Sequence, residues 1–155
     1  EAKKPPSIIA LSRQNLPTVR DAGDGNRSAR GAYILAGDAS APIRLIASGS
    51  EVQLALGARD LLAQEGLAAA VVSMPSWELF EAQDDTYRGE VMGGDGTVRV
   101  ACEAASGFGW ERWLGTKGTF VGMKSFGASA KASDLYKHFG ITAEAIAAAA
   151  RQLTQ

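Results

Sequence analysis

Residues 44–76, RLIASGSEVQLALGARDLLAQEGLAAAVVSMPS, predict one complete strand, helix, strand unit around which the rest of the chain is arranged. The run from Ile43 to Ala47 is apolar apart from Arg44, which is typical of a parallel strand buried on both faces. Ser50 and Gln53 form a capping-box pattern, so we expect a helix that begins at Ser50 and ends near Gly66. Residues 68–74 predict the second strand, and a right-handed crossover joins the two.

The two loops at the carboxyl ends of these strands are the first places to look for a site. Ligands of open parallel sheets bind beyond the carboxyl ends of the strands. The sequence therefore directs attention to residues 48–50 and 74–77.

The remainder of the chain continues the alternation of strands and helices. Short apolar runs predict strands at 31–35, 97–102 and 119–123. Helices are expected at 76–80, 84–92, 107–114 and 129–139 and from Thr142 onward, where an alanine run keeps one apolar face. This alternation predicts an α/β fold, a three-layer α/β/α sandwich over residues 31–155.

Composition limits the function classes. The 155 residues are 46% hydrophobic and 21% charged, with a formal net charge of −1 and one cysteine. Lysine and arginine are scattered, so nucleic acid and anionic membranes are not expected as partners, and no apolar run approaches the ~20 residues that span a bilayer. A single cysteine fits a cytoplasmic protein. Because the chain starts at Glu1 and no signal sequence follows, we expect that it was cut from a longer protein.

The first 30 residues are organised differently from the rest. Ser7 to Leu11 predicts a short, strongly apolar strand, and polar residues follow it abruptly up to Pro17. Residues 18–30 are rich in Asp, Gly, Asn and Arg, which is typical of a flexible surface connection. We therefore expect a domain boundary there.

Few side chains suggest chemistry. Arg13 follows an apolar strand among polar neighbours and offers a fork of donors suited to a phosphate, although an ion pair at a domain junction explains it equally well. The turn at Gly49 and Ser50 could hold an anion, but a tight turn before a helix explains the same residues. Cys102 is expected to be buried and unreactive, and His138 to have a structural or surface role. The tryptophans are expected in packing or at an interface: Trp77, Trp110 and Trp113.

Several motifs, in order, resemble one family. IIALSRQNLP at 8–17 resembles the end of the pyrimidine-binding domain of transketolases, the thiamine diphosphate enzymes of the pentose phosphate pathway. Five further motifs resemble the C-terminal domain of that family: RGAYIL at 30–35, LIASGSEVQLAL at 45–56, VVSMPSWELFEAQD at 71–84, YRGEVM at 87–92 and VGMKSFGASA at 121–130. The resemblance implies that 1–17 ends the pyrimidine-binding domain, 18–30 is a linker and 31–155 is the C-terminal domain with a five-stranded mixed, mostly parallel sheet.

The resemblance also implies a function. A transketolase is a transferase that moves a two-carbon ketol unit from a ketose phosphate to an aldose phosphate, and it works as a homodimer with thiamine diphosphate and Mg²⁺ or Ca²⁺. The cofactor, metal and catalytic residues belong to domains whose motifs do not occur here. We therefore expect no catalytic, cofactor-binding or metal-binding residue in this chain, which alone should be inactive and serve a structural and dimer-contact role. One family residue carries over: the arginine of SRQ, here Arg13, is implied to bind the substrate phosphate.

Two other functions are open at this point. The chain could be a stand-alone regulatory or nucleotide-binding α/β module that uses residues 49–51 as its anion site. It could also be a purely structural dimerisation module.

Overall fold

The strand, helix, strand unit around residues 44–76 is present in the computed structural model, which describes residues 6–21, 23 and 25–155. The strands are β1 (Tyr33–Ala36), β2 (Ile43–Ala47), β3 (Ala69–Ser73), β4 (Val98–Ser106) and β5 (Gly118–Met123). The α-helices are α1 (Val52–Gln64), α2 (Trp77–Glu81), α3 (Asp85–Met92), α4 (Glu111–Leu114), α5 (Ala132–Phe139) and α6 (Ala143–Thr154). Short 3₁₀ turns cover Arg27–Arg30 and Gly49–Glu51.

The five strands form one mixed sheet in the order β1-β3-β2-β4-β5. β2 lies at its centre and pairs in parallel with both β3 and β4, so that Leu45 faces Val71 on one side and Val100 on the other. β5 extends the parallel part, whereas β1 pairs antiparallel with β3 at the opposite edge. The predicted five-stranded, mostly parallel α/β fold is therefore confirmed.

Helices cover both faces of this sheet. On one face, Leu45 and Val71 pack with side chains of α1 and α6, such as Leu62 and Ile146. On the other face, Ile46 and its neighbours pack with α2, α3 and α4 through the buried side chains Phe80, Val91, Met92, Trp110 and Trp113. The central strands thus bury the side chains on both faces of the sheet. A run of apolar residues without intervening polar ones predicts this.

Local signals define several helix ends. Ser76 accepts a hydrogen bond from the backbone N–H of Leu79 (3.3 Å), and Asp84 accepts one from Tyr87 (2.9 Å). Thr142 does the same for Ala145 at the start of α6 (3.2 Å). These side chains satisfy N–H groups that have no partner inside the helix.

The predicted cap at Ser50 is wrong. Gly49–Glu51 forms a 3₁₀ turn, and α1 begins only at Val52 without a side-chain cap. The hydroxyl of Ser50 donates instead to the carboxylate of Glu51, at 2.7 Å. An N-cap residue needs a non-helical backbone, and Ser48 (φ −121°, ψ 162°) has it, whereas Ser50 lies inside the 3₁₀ turn.

The predicted strand at Ser7 to Leu11 is also absent, because these residues pair with no strand of this sheet. Their large side chains lie in solvent: Ile8 is 97% exposed, Ile9 79% and Leu11 84%. Residues 1–5 of the predicted N-terminal segment lie outside the described residues. A strand needs a neighbour for its backbone groups, and this chain supplies none to the segment.

Arg27–Arg30, at the end of the predicted connection, forms a 3₁₀ turn that contacts the domain. There the guanidinium of Arg30 lies 3.1 Å from the ring centroid of Tyr87, and that of Arg27 lies 4.7 Å from the centroid of Tyr33. Arg27 also donates to the backbone carbonyl of Ile34. Cation–π contacts thus attach the end of the connection to β1 and α3, which composition alone cannot reveal. Ala22 and Asp24 lie outside the described residues.

Candidate functional site

The carboxyl edge of the sheet holds polar side chains of residues 48–50, one of the two loops singled out by the sequence. Glu103 on β4 accepts a hydrogen bond from the hydroxyl of Ser48 (3.2 Å) and one from the indole N–H of Trp110 (2.7 Å). Ser48 directly follows β2, so the parallel pairing of β2 with β4 brings these side chains together.

A second carboxylate lies at the same edge. Glu51 is 5% exposed and accepts hydrogen bonds from the hydroxyls of Ser50 and Tyr136. It stands at the start of α1, where the helix dipole favours a negative charge. We call Glu51, Glu103 and their donors the carboxylate cluster.

The carboxylate cluster surrounds the end of β4. Burial, with smaller contributions from the charges of Glu51 and Glu103, raises the pKa of the Cys102 thiol to about 12. The thiol is fully buried and stays protonated at neutral pH, which removes it as a nucleophile. The interpretation of Cys102 as a small hydrophobic residue fits this environment.

The same cluster disfavours an anion site at residues 49–51. A bound phosphate there would face two carboxylates, and the Ser50 hydroxyl is already engaged by one of them. Like charges at short range repel strongly where water is scarce. The turn at Gly49 is thus better explained as the entry to α1.

Arg13 is exposed, on the N-terminal segment. Residues 13 and 14 form a bend, and the next residue along, Gln14, reaches the body of the domain. Gln14 lines a mostly apolar cavity of about 220 Å³ together with Leu135, Tyr136 and Phe139 of α5. The structure therefore leaves the Arg13 guanidinium accessible and holds its neighbour against α5.

Two arginines of neighbouring central strands, one buried and one partly buried, were missed by the sequence reasoning. Arg44 is 1% exposed and donates to the carbonyls of Val91 (2.8 Å) and Ala41 (2.6 Å). Arg99, its register partner in β4, donates to the carbonyls of Met92 (3.0 Å) and Gly93 (2.8 Å). Both side chains satisfy the carboxyl end of α3, where carbonyls lack partners within the helix. The sequence signal that could have revealed these two arginines is a charged residue at paired positions of two apolar strands.

The tryptophans pack inside the chain. Trp110 and Trp113 are buried, and Trp77 meets Trp110 edge to face with ring centroids 5.2 Å apart. His138 lies exposed on α5 beside the ring of Phe139. These positions fit structural roles for all four residues.

Over residues 6–21, 23 and 25–155, His, Cys, Asp and Glu side chains form no group of three or more that could hold a metal ion. Within the same ranges, every helix is too short or too polar to cross a membrane.

Comparison with known proteins identifies the family. The transketolase-like C-terminal domain family matches residues 31–142. Transketolase of Sinorhizobium medicae is 53% identical over 154 residues, which are 97% of this chain and 22% of that protein. Transketolase of Cereibacter sphaeroides is 55% identical over 97% of this chain and 23% of its own length. The chain thus spans under a quarter of the length of these relatives.

Solved structures agree with the sequence relatives. Transketolase from Leishmania mexicana matches with a TM-score of 0.75 and 45% identity, over 81% of this chain and 18% of that one. A Pichia stipitis transketolase in complex with sedoheptulose 7-phosphate matches with a TM-score of 0.80 and 35% identity, over 91% of this chain and 20% of that one. From the matched domain and from the relatives that cover nearly all of its residues, the chain belongs to the transketolase family.

Proposed function

We propose that this chain is the C-terminal portion of a transketolase that transfers a two-carbon ketol unit from a ketose phosphate to an aldose phosphate. One observation carries the proposal: identity of 53% to a transketolase extends over 97% of the chain, so it includes the N-terminal segment as well as the sheet. A relative from Pichia stipitis is described in complex with a ketose phosphate, sedoheptulose 7-phosphate, which supports the substrate class.

In this proposal, residues 1–17 end the pyrimidine-binding domain, residues 18–30 are the linker and residues 31–155 are the C-terminal domain. The sheet begins at Tyr33, which supports the second boundary. The exposed side chains of Ile8, Ile9 and Leu11 support the boundary after residue 17. An apolar segment that pairs with no strand here is expected to pair with a sheet in the preceding domain.

The cofactor belongs to the rest of the enzyme. The residues described here do not fit thiamine diphosphate with Mg²⁺ or Ca²⁺, because their acidic and histidine side chains form no metal-ligand group. The carboxylates at the sheet edge already accept hydrogen bonds from hydroxyl and indole groups. We therefore assign no catalytic step to this chain, and we expect it to be inactive alone.

The contribution of this domain is structural, with dimer contacts in a cytoplasmic homodimer. Large apolar side chains at the surface support a role in contacts: Phe108 is 89% exposed and Phe126 is 97% exposed. Exposed aromatic residues are enriched at protein interfaces.

Arg13 is the substrate-binding residue in this proposal. Its exposed guanidinium can make two parallel hydrogen bonds to a phosphate, which a lysine cannot reproduce. Phosphate binding by Arg13 would help to orient the sugar without taking part in bond making.

Arg13→Ala in the full-length enzyme is expected to raise KM for phosphorylated sugars about 10- to 100-fold, since a charge-assisted hydrogen bond contributes roughly 1.5–3 kcal/mol. KM for an unphosphorylated ketol donor should stay unchanged. Steady-state kinetics with both donors measures the difference, and Arg151→Ala, an exposed arginine on α6, is the control. Equal losses for the two donors would contradict the phosphate role.

A further inference from the structure

Helix α5 and the loop that leads into it lie on the surface of the sheet domain. Residues 124–131 are all exposed, and α5 itself contains no buried residue. Helix α6, by contrast, buries Ile146, Ala147 and Ala150. Segment 124–139 therefore has little buried apolar surface to hold it in place, which is typical of parts of a protein that open locally.

A cavity lies between this segment and the carboxyl edge of the sheet. Its volume is about 220 Å³. The sheet contributes Ala104 of β4 and Met123 of β5 to its lining, and α5 contributes Leu135 and Phe139. Helix α5 thus covers a mostly apolar space at the end of two parallel strands.

One side chain connects α5 to the start of α1. The hydroxyl of Tyr136 donates to the carboxylate of Glu51 and lies 3.1 Å from the hydroxyl of Ser50. Within residues 6–21, 23 and 25–155, no other side chain of segment 124–139 makes a hydrogen bond or an ion pair outside the segment. Because Glu51 is only 5% exposed, this contact is shielded from water and is stronger than a surface hydrogen bond.

The segment has a fixed point on each side. Met123 at the end of β5 pairs with Ser106, and Ile141, two residues after α5, is 1% exposed. Gly140 lies between α5 and Ile141 with a φ of +67°, and a Cβ there would meet no atom within 4 Å. The free space around this glycine allows α5 to move while Ile141 stays buried, as a hinge requires.

We propose that segment 124–139 is a lid over this cavity and that the hydrogen bond from Tyr136 to Glu51 is its latch. When this hydrogen bond breaks, α5 moves away from the sheet and the cavity opens to solvent, while α1, α6 and the five strands stay folded. Ligands of open parallel sheets bind at this edge, so the lid controls access to it. The inference concerns the domain itself and does not depend on the proposed function.

Hydrogen exchange of the 155-residue chain with Tyr136→Phe tests the latch. The substitution removes the donor and keeps the ring on the cavity wall. Ser50 still donates to Glu51 at 2.7 Å, so the buried carboxylate keeps a partner and the chain should fold. Amides of α5 should exchange about 10- to 100-fold faster than in the unmodified chain, because a hydrogen bond to a charged group is lost from the closed state.

The matched control is Tyr87→Phe, which removes a phenol that donates to the carbonyl of Ala32 at 2.7 Å, on the other face of the sheet. This contact is kept when only the lid opens, so the control should leave the exchange of α5 unchanged. It should accelerate the amides that exchange only when the whole domain unfolds, which we expect in α1 and α6.

Two results would overturn the proposal. Unchanged exchange of α5 in Tyr136→Phe would show that this hydrogen bond does not keep the segment closed. Equal acceleration of α5 in the two tyrosine variants would show that α5 opens only together with the whole domain, so that no lid exists.

Discussion

Arg44→Met is expected to lower the free energy of unfolding of this chain by about 3–5 kcal/mol. Methionine fills much of the same volume, so the loss comes from polar groups rather than from a cavity. The guanidinium satisfies the carbonyls of Val91 and Ala41 at 2.8 and 2.6 Å, and without it these oxygens are left buried and without a donor.

The electrostatic setting of Arg44 agrees with this role. Burial lowers the pKa of Arg44, and the nearby positive charge of Arg99 lowers it further, whereas Asp38 raises it. The guanidinium still stays charged at neutral pH, since arginine is not deprotonated in proteins. Its charge is compensated by the carbonyl dipoles at the end of α3.

Denaturant unfolding of the 155-residue chain measures the loss. Arg151→Met is the control, since Arg151 makes only an exposed ion pair with Glu65 (2.6 Å), and it should cost far less. Equal midpoints for the two variants would show that Arg44 does not hold α3 to the sheet.

Gly31→Ala should destabilise the chain by a similar amount, roughly 3–5 kcal/mol. A Cβ at this position would lie 2.1 Å from the backbone nitrogen of Phe80 and 2.5 Å from the carbonyl oxygen of Ser76. Both atoms belong to the α2 region, whose backbone packs directly on Gly31 and cannot withdraw without breaking the hydrogen bond from the Ser76 N–H to the Gly31 carbonyl (3.0 Å).

Gly66→Ala separates this clash from backbone strain. Gly31 and Gly66 have similar positive φ angles, +83° and +76°, but a Cβ at Gly66 meets no atom within 4 Å. The control should therefore lose only the ~1–2 kcal/mol that a left-handed conformation costs an alanine. If thermal unfolding gives equal losses for the two variants, the close approach of α2 does not determine the need for glycine.

Sequence patterns predicted the parts of the fold that depend on neighbours along the chain. β2 was predicted at its observed bounds, Ile43–Ala47, because a continuous apolar run has few alternatives in a parallel sheet. A helix was predicted at 76–80, and α2 is observed at Trp77–Glu81 with the Ser76 side chain as its N-cap.

The missed features depend on distant contacts. Ser50 lies inside a 3₁₀ turn rather than at a cap position, and it donates to Glu51, a carboxylate that also accepts from Tyr136, 85 residues later. The end of the linker is attached by Arg30 stacking on Tyr87, which no local pattern indicates. The strand at residues 7–11 has the right composition but no partner strand in this sheet.

The candidate site was only partly accessible from sequence. Arg13 was singled out by its place after an apolar run and by a family motif. Arg44 lay within the stretch that predicts the fold, yet its partners on α3 are 46 and 47 residues away.

In the proposed function, this chain is one part of a transketolase, and the bond-making groups lie in the other domains of that enzyme. The most direct test is transketolase activity with xylulose 5-phosphate, ribose 5-phosphate, thiamine diphosphate and Mg²⁺, on this chain alone and on the full-length protein. An active full-length protein beside an inactive chain is the predicted result. Turnover by residues 1–155 alone would contradict the account, because the active site would then lie within this chain.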